Sequence, residues 1–226
     1  MDENLDREFY KNGRDIKEIV QIYNSIKSKV ILRLNEFKKL LEIGIEEDIF
    51  KELVFCLLTP QSKAKICWIA VENLAKQDLL LNGDIDAIAH GLKSVRFRFN
   101  KAKYILEARR KFMNRNKIDI KQKIGRFKNI IEARDWLVKN VKGLGYKESS
   151  HFLRNIGFGN DIAILDRHIL KNLKLIGVIE EIPNPLSKTK YIEIEQGFIR
   201  LAHKLNIPVS HLDLVLWYKE TGELFK

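Results

Sequence analysis

Cysteine, proline and glycine are all scarce in this chain. Two thiols, Cys56 and Cys67, are too few for a disulfide scaffold or a four-thiolate cluster. With 4 prolines and 12 glycines in 226 residues there is no low-complexity linker, which favours a compact, mostly helical body. Long apolar runs are missing as well. None could span a bilayer, and no signal-peptide pattern opens the chain. The expectation is a reduced, cytoplasmic protein with no membrane partner. Acidic residues are in deficit, 30 Asp+Glu against 41 Lys+Arg, for a formal net charge of +11. That excess favours a polyanionic partner, although a lysine-rich proteome would produce it too. The hydrophobic share, 45%, is enough for a sizeable core in one or two domains.

The stretch from Ala133 to Asp166 carries the strongest pattern. Ile130, Ala133, Leu137 and Val141 recur at helical spacing and predict a helix over residues 129–141. Ser149, Phe152, Leu153 and Ile156 predict a second. Between them lies Val141-Lys142-Gly143-Leu144-Gly145, where two glycines permit positive φ and a tight reversal. Backbone N–H groups bared at the start of the second helix suit a phosphate, because free N–H groups and the helix dipole both favour an anion. Lys142 and Lys147 add positive charge beside them. Taken alone, these residues also fit an ordinary helical hairpin with a glycine C-cap.

Lys147 stands in the first turn of the second helix, the unfavourable end of the dipole for an ammonium. That field favours the free amine, the nucleophilic form. A solvated surface lysine is the plainer reading. Asp166 closes the apolar run Ala163-Ile164-Leu165 and precedes a new helix, an N-cap placement. A carboxylate fixed in this way can still face a reaction site. His168, in the first turn of that helix, is a surface histidine or, beside DNA, a phosphate contact.

The remaining elements read as helices. Ile16, Ile19, Val20, Tyr23, Ile26, Val30, Leu34, Phe37 and Leu41 mark one long helix that Gly44 stops. Glu46 to Leu58 is a buried helix, followed by a Thr59-Pro60-Gln61-Ser62 turn. Ser62 is the expected N-cap of a helix through Trp68 and Leu74, and Asp84 that of a short helix through Ile88. In Val95-Arg96-Phe97-Arg98-Phe99-Asn100, basic and aromatic residues alternate, a pattern suited to phosphate contact and base-stack invasion. Asn100 is the expected cap there, and at least one of Phe97 and Phe99 is expected in the core. Residues 114–128 read as a basic connector. The helix opened by Asp166 extends to about Leu175. Ser187 caps a helix reaching Leu205, and Ser210 with Asp213 resembles a capping box at the start of a last helix.

Val141-Lys142-Gly143-Leu144-Gly145-Tyr146-Lys147, followed by Leu165-Asp166-Arg167-His168, resembles the helix–hairpin–helix DNA glycosylase superfamily in its bifunctional form. The resemblance implies that Lys147 is the Schiff-base nucleophile and Asp166 its essential carboxylate. Beside such a site, the phosphate reading of the hairpin assigns Lys142, Gly143, Gly145 and His168 to DNA contact. Some members hold an iron–sulfur cluster on four cysteines, which this chain lacks. The superfamily places a Ser/Thr-x-Gln-Ser/Thr loop against the flipped nucleotide, where this chain has Thr59-Pro60-Gln61-Ser62. Gln61 thereby becomes a contact in the base pocket or to the strand gap. In related glycosylases a loop at the position of Arg96 and Arg98 enters that gap, which assigns both arginines to DNA.

Asp213 and Trp217 share one helical face. Spacing alone reads them as a capping carboxylate and a core indole, yet a flat ring and an acceptor also suit a flipped purine. An Asp-x-x-x-Trp-Tyr helix, a cluster-free chain and a short tail ending in Lys226 are together similar to the type-2 8-oxoguanine DNA glycosylase/AP lyases. The similarity covers nearly all of the chain after residue 15. In that family the terminal lysine helps to recognise the damaged base, which adds Lys226 to Asp213 and Trp217. The implied fold is all-α, two interleaved helical subdomains with a cleft between them. It occupies residues 15–226, has the hairpin at about 129–157 and follows a flexible extension, 1–14. The implied activity is excision of 8-oxoguanine from duplex DNA through a lysine Schiff base, with strand nicking by β-elimination. Duplex DNA containing 8-oxoguanine or an abasic site is the partner, a monomer is expected, and no metal or organic cofactor is needed. Two rivals are a bifunctional glycosylase for another oxidised base and a non-enzymatic DNA-binding hairpin module.

Overall fold

Helical periodicity over the first forty or so residues is realised as one continuous helix, α1, Gly13–Ile43. The computed structural model describes residues 13–159 and 161–226. Most of the expected 1–14 extension lies outside these; its last two residues already belong to α1. The apolar stripe of α1 is buried at Ile19, Tyr23, Ile26, Val30 and Phe37. Among the described residues no helix is long and apolar enough to cross a membrane.

The chain forms two compact units. One is Phe37–Phe158; the other joins the residues up to Glu36 with Gly159–Lys226. In the first, α2 (Glu46–Leu58) is the core helix. Ile49, Phe50 and every residue from Glu52 to Leu58 are buried. Around it pack α3 (Ala64–Lys76), α6 (Arg98–Phe112), α7 (Ile120–Ile124) and α9 (Tyr146–Asn155). Short helices α4 (Leu79–Asn82) and α5 (Ile85–Gly91) link α3 to α6, and α8 (Ile130–Asn140) precedes α9. In the second unit, α12 (Val209–Thr221) packs on α10 (Arg167–Ile176) and α11 (Lys188–Leu205). Leu212, Asp213, Leu214, Val215 and Leu216 are all buried, so the middle of α12 is enclosed on every side. Tyr23 on α1 bonds to His211 Nδ1 of α12 at 3.1 Å.

Several helix starts follow the local pattern. Asp84 accepts from Ala87 N at 2.8 Å, and Ser187 accepts from Lys190 N at 3.3 Å. Others do not. The cap of α3 is Lys63, not Ser62, and α6 begins at Arg98 with Phe97 as its cap, which places Asn100 inside the first turn. The last helix opens at Val209 after Pro208, so Ser210 and Asp213 form no capping box; both are buried. Phe97 and Phe99 are 54% and 59% exposed, and neither is core. Each instead lies beside a guanidinium, Arg96 over Phe97 at 5.4 Å and Arg98 over Phe99 at 4.8 Å. The basic connector is not irregular throughout. Met113–Asn114 and Lys117–Ile118 pair as antiparallel strands β1 and β2, turned by Arg115 and Asn116, both at positive φ. A turn of Arg-Asn without glycine gave no sequence signal for that ribbon.

Candidate active site

The hairpin between α8 and α9 is built as its sequence suggests, but by one glycine rather than two. Gly143 takes φ +94, and a Cβ there would meet Tyr104 Cδ2 at 2.5 Å. Gly145 has φ −91 and caps α9. Its N–H donates to Glu148 Oε2 at 3.2 Å, while Leu144 N donates to Val141 O at 3.2 Å. Two of the turn's amides are therefore already engaged within the hairpin. Asn129 caps α8 through Glu132 N at 3.0 Å. On the far side, Tyr146 donates to Asp135 at 2.6 Å, and buried Arg134 donates to Ser150 Oγ at 3.2 Å. Asn155 donates to buried Glu52 at 3.0 Å. These bonds fix α9 along its length.

Lys147 lies in the first turn of α9 and is 23% exposed. Its Nζ stands 3.0 Å from Glu148 Oε1. Glu148 thus uses one oxygen on the nucleophile candidate and the other on the Gly145 amide, which ties the lysine to the turn. Two thiols share this neighbourhood, and the charge of Lys147 is felt by both. Burial drives the Cys56 thiol well above its usual range. Burial likewise pushes Cys67 up to about 11, against the opposing charges of Lys101 and Lys147. Both thiols stay protonated at neutral pH, so neither competes with Lys147 as nucleophile. Lys142 is 65% exposed, 3.6 Å from Glu107 Oε1 and over the Tyr104 ring at 5.9 Å.

Gln61 is exposed on the turn after α2 and holds φ +55, a left-handed conformation unusual for a side-chain-bearing residue. Ser62 N closes the turn on Thr59 O at 3.0 Å. Ser62 Oγ accepts from Arg96 N at 3.2 Å, so the turn carrying Gln61 and the turn carrying Arg96 and Phe97 are joined. Sequence reasoning missed the group beneath them. Lys101 is 4% exposed and donates to Leu58 O at 2.7 Å, Pro60 O at 2.8 Å and Ser62 Oγ at 3.0 Å. Burial lowers its pKa below the usual lysine value, helped by the charges of Lys147 and Arg96 and opposed by Cys67.

In the second unit, Asp166 is the N-cap of α10. Its Oδ1 accepts from His168 N at 2.8 Å and Ile169 N at 2.9 Å. Oδ2 has no hydrogen-bond partner among the described residues, so the cap leaves one carboxylate oxygen for other work. The segment before it, residues 162–165, is buried and belongs to no helix or strand, so its amides lack regular backbone partners among the described residues. Side chains take their place. Ala163 N donates to Glu195 at 3.0 Å, Ile164 N to Asp213 at 3.3 Å and Leu165 N to Tyr191 OH at 3.3 Å. Tyr191 OH donates in turn to Ala163 O at 2.7 Å. Asp213 is thereby a buried acceptor for the segment that leads to Asp166, a use its spacing to Trp217 did not suggest. Trp217 is only half-buried rather than core. His168 stands edge-on to it, ring centres 5.1 Å apart at 88°. His168 Nδ1 is 3.7 Å from Glu220, which also takes Lys171 at 2.8 Å and Asn172 at 3.0 Å. Burial would raise the Glu220 carboxyl, but these hydrogen bonds prevail and hold it below its usual value. The tail with half-buried Lys226 leaves α12 after Thr221, and Arg33 holds it by donating to Leu224 O at 3.3 Å. Arg33 is itself anchored by Glu36 at 2.7 Å.

A family model described as 8-oxoguanine DNA glycosylase matches residues 30–207. An 8-oxoguanine DNA glycosylase/AP lyase of Fusobacterium nucleatum is 47% identical over 216 residues, 96% of this chain and 100% of its own length. One from Methanocaldococcus jannaschii is 41% identical over 214 residues, 93% of this chain and 99% of its own. Among solved structures, the Methanocaldococcus jannaschii 8-oxoguanine glycosylase/lyase bound to a 15mer DNA containing 8-oxoguanine superposes with a TM-score of 0.85. That pair is 39% identical and covers 93% of this chain and 99% of the other. The Thermotoga maritima 8-oxoguanine DNA glycosylase gives 0.84 at 35% identity, covering 93% of this chain and 98% of the other. The family model spans more than half of the chain and the relatives cover nine-tenths or more of it, and the chain belongs to the 8-oxoguanine DNA glycosylase family.

Proposed function

We propose that this protein removes 8-oxoguanine from duplex DNA and then cleaves the strand at the resulting abasic site, acting in the cytoplasm on nucleoid DNA. One observation carries the assignment of the chemistry. A mostly buried lysine, Lys147, lies in the first turn of the second helix of the α8–α9 hairpin, and its neutral thiol neighbours offer no rival nucleophile. A module that only gripped phosphate would need its cations exposed, as Lys142 is.

The reaction follows from the groups present. The damaged nucleotide leaves the stack, since C1′ is shielded inside the duplex. Lys147, as free amine, attacks C1′; the bond from C1′ to the base breaks, and the base leaves with that electron pair and takes up a proton. Asp166 is assigned to the positive charge that builds on the sugar, through the oxygen its capping role leaves over. Loss of a proton from nitrogen and opening of the ring give a lysine imine at C1′. The imine acidifies the C2′ proton; its removal forms the C2′–C3′ double bond and expels the 3′ phosphate, which nicks the strand. Asp213, Trp217 and Lys226 are assigned to the flipped base, with Gln61 in the pocket or the strand gap. Gly143, Gly145, Lys142, His168, Arg96 and Arg98 are assigned to the DNA around it. For His168 the contact with Trp217 adds a second task, bracing the indole.

Borohydride trapping on a duplex with one 8-oxoguanine tests this reading. The wild type is expected to give a covalent adduct and a nicked strand, and Lys147→Gln neither, with duplex binding retained. An adduct that survives the substitution would overturn the assignment. Thymine glycol in the same duplex serves as the rival substrate.

A further inference from the structure

Among the described residues the buried ammonium of Lys101 has no counter-ion in its hydrogen-bond shell, yet every one of its donors is used. Its three N–H groups meet three acceptors, Leu58 O, Pro60 O and Ser62 Oγ. Leu58 ends α2, so two acceptors lie at or just past the negative end of a helix dipole, where carbonyls lack helical partners. That end stabilises a cation that would otherwise be costly to bury. The acceptors also belong to one piece of chain, the 58–62 turn, and this turn carries Gln61 in a left-handed conformation. Non-glycine residues in that region persist only where their surroundings over-determine them. Ser62 Oγ passes the restraint on. It accepts from Lys101 on one side and from Arg96 N on the other, next to Phe97, which is also left-handed at φ +58. Two exposed turns with unusual backbone conformations are thus stapled through half-buried Ser62 onto the buried Lys101.

We propose that Lys101 is a positioning residue for base extrusion: it sets Gln61, and through Ser62 the Arg96–Phe97 turn, in the conformation that receives the damaged nucleotide. The inference rests on the proposed role of Gln61 in the pocket or strand gap. It implies that Lys101 matters more for excising a base that must first leave the stack than for cleaving a site with no base. Methionine at position 101 would keep the packing and remove all three donors.

A double-mutant cycle tests it. Lys101→Met, Gln61→Ala and the double variant are compared under single-turnover conditions, on 8-oxoguanine duplex and on a duplex with a preformed abasic site. Lys101→Met is expected to lower excision by about tenfold or more, since displacement of a positioning group by an ångström can cost up to about a hundredfold. Abasic-site cleavage should fall by clearly less. The double variant should excise no more slowly than the slower single, because both changes remove the same thing. Ser62→Ala, a milder break in the staple, should move excision the same way by a smaller factor, and it serves where Lys101→Met folds poorly. Equal losses in both reactions, or additive losses in the cycle, would overturn the proposal and leave Lys101 as a fold-stabilising group. Wild-type turnover of 8-oxoguanine is the separate control: if it is absent while abasic cleavage is present, the substrate reading fails. The cycle is then run on the base the enzyme does remove.

Discussion

Gly143 and Gly145 look equivalent in the sequence, one residue apart in the same turn. Their backbones say otherwise. At φ +94 any side chain is strained, and a Cβ on Gly143 would sit 2.5 Å from the ring of Tyr104 and 3.1 Å from Leu57 Cδ2. At φ −91 Gly145 is unstrained, and a Cβ would meet only the mobile end of Glu148 at 3.0 Å. Gly143→Ala is therefore expected to cost roughly 2–3 kcal/mol, the strain of a left-handed residue plus displacement of Tyr104. Gly145→Ala should cost under about 1 kcal/mol. Denaturant melts of the two variants decide it, and equal losses would contradict this account of the turn. The shift of Tyr104 would also reach Lys142, whose ammonium lies over that ring, so the first variant should weaken duplex binding as well.

At the scale of elements, the start of α10 separates structure from chemistry. Asparagine caps a helix about as well as aspartate, whereas alanine gives up about 1 kcal/mol. Asp166→Asn should accordingly melt close to wild type, and Asp166→Ala below it by about that amount. Excision should fall in both by about a hundredfold or more, because each loses the charge assigned to the sugar. If Asp166→Asn excised at the wild-type rate, the carboxylate would be a cap and nothing else. This cap was legible in the sequence because its partners are two and three residues away, at His168 and Ile169. The same holds for Asp84, Ser187 and the stripe of α1. What local spacing could not give is whatever is held from afar. Lys101 reaches acceptors 39 to 43 positions back, and Asp213 meets Ile164 N across 49. Ser62 was expected as a cap because a serine before a helix usually is one; here its hydroxyl is claimed by Lys101 and Arg96 first. Phe97 and Phe99 were misplaced for a related reason. Their period suits burial, but a left-handed Phe97 turns the segment outward and pairs each ring with an arginine.

Over the whole molecule the net charge of +11 says that DNA is a fitting partner but not which cations touch it. Salt dependence separates the two. Each phosphate contact to duplex DNA contributes about 0.9 to the slope of log affinity against log salt, whatever the base sequence. Lys142 is well exposed, and its ion pair with Glu107 at 3.6 Å is a surface pair of small worth, so the contact to phosphate costs little to make. Lys142→Ala and Arg96→Ala should each reduce the slope by about one unit, equally on intact and damaged duplex. Removing Lys226 should behave differently. Its tail is led past α12 by the bond from Arg33 to Leu224 O, an arrangement suited to placing one residue rather than adding general charge. Deletion of Lys226 should leave the slope on intact duplex unchanged, while excision of 8-oxoguanine falls more than cleavage at abasic sites. Equal loss in the two reactions would make the tail structural. A slope reduced by its deletion would make Lys226 one more phosphate contact and return base recognition to Asp213 and Trp217 alone.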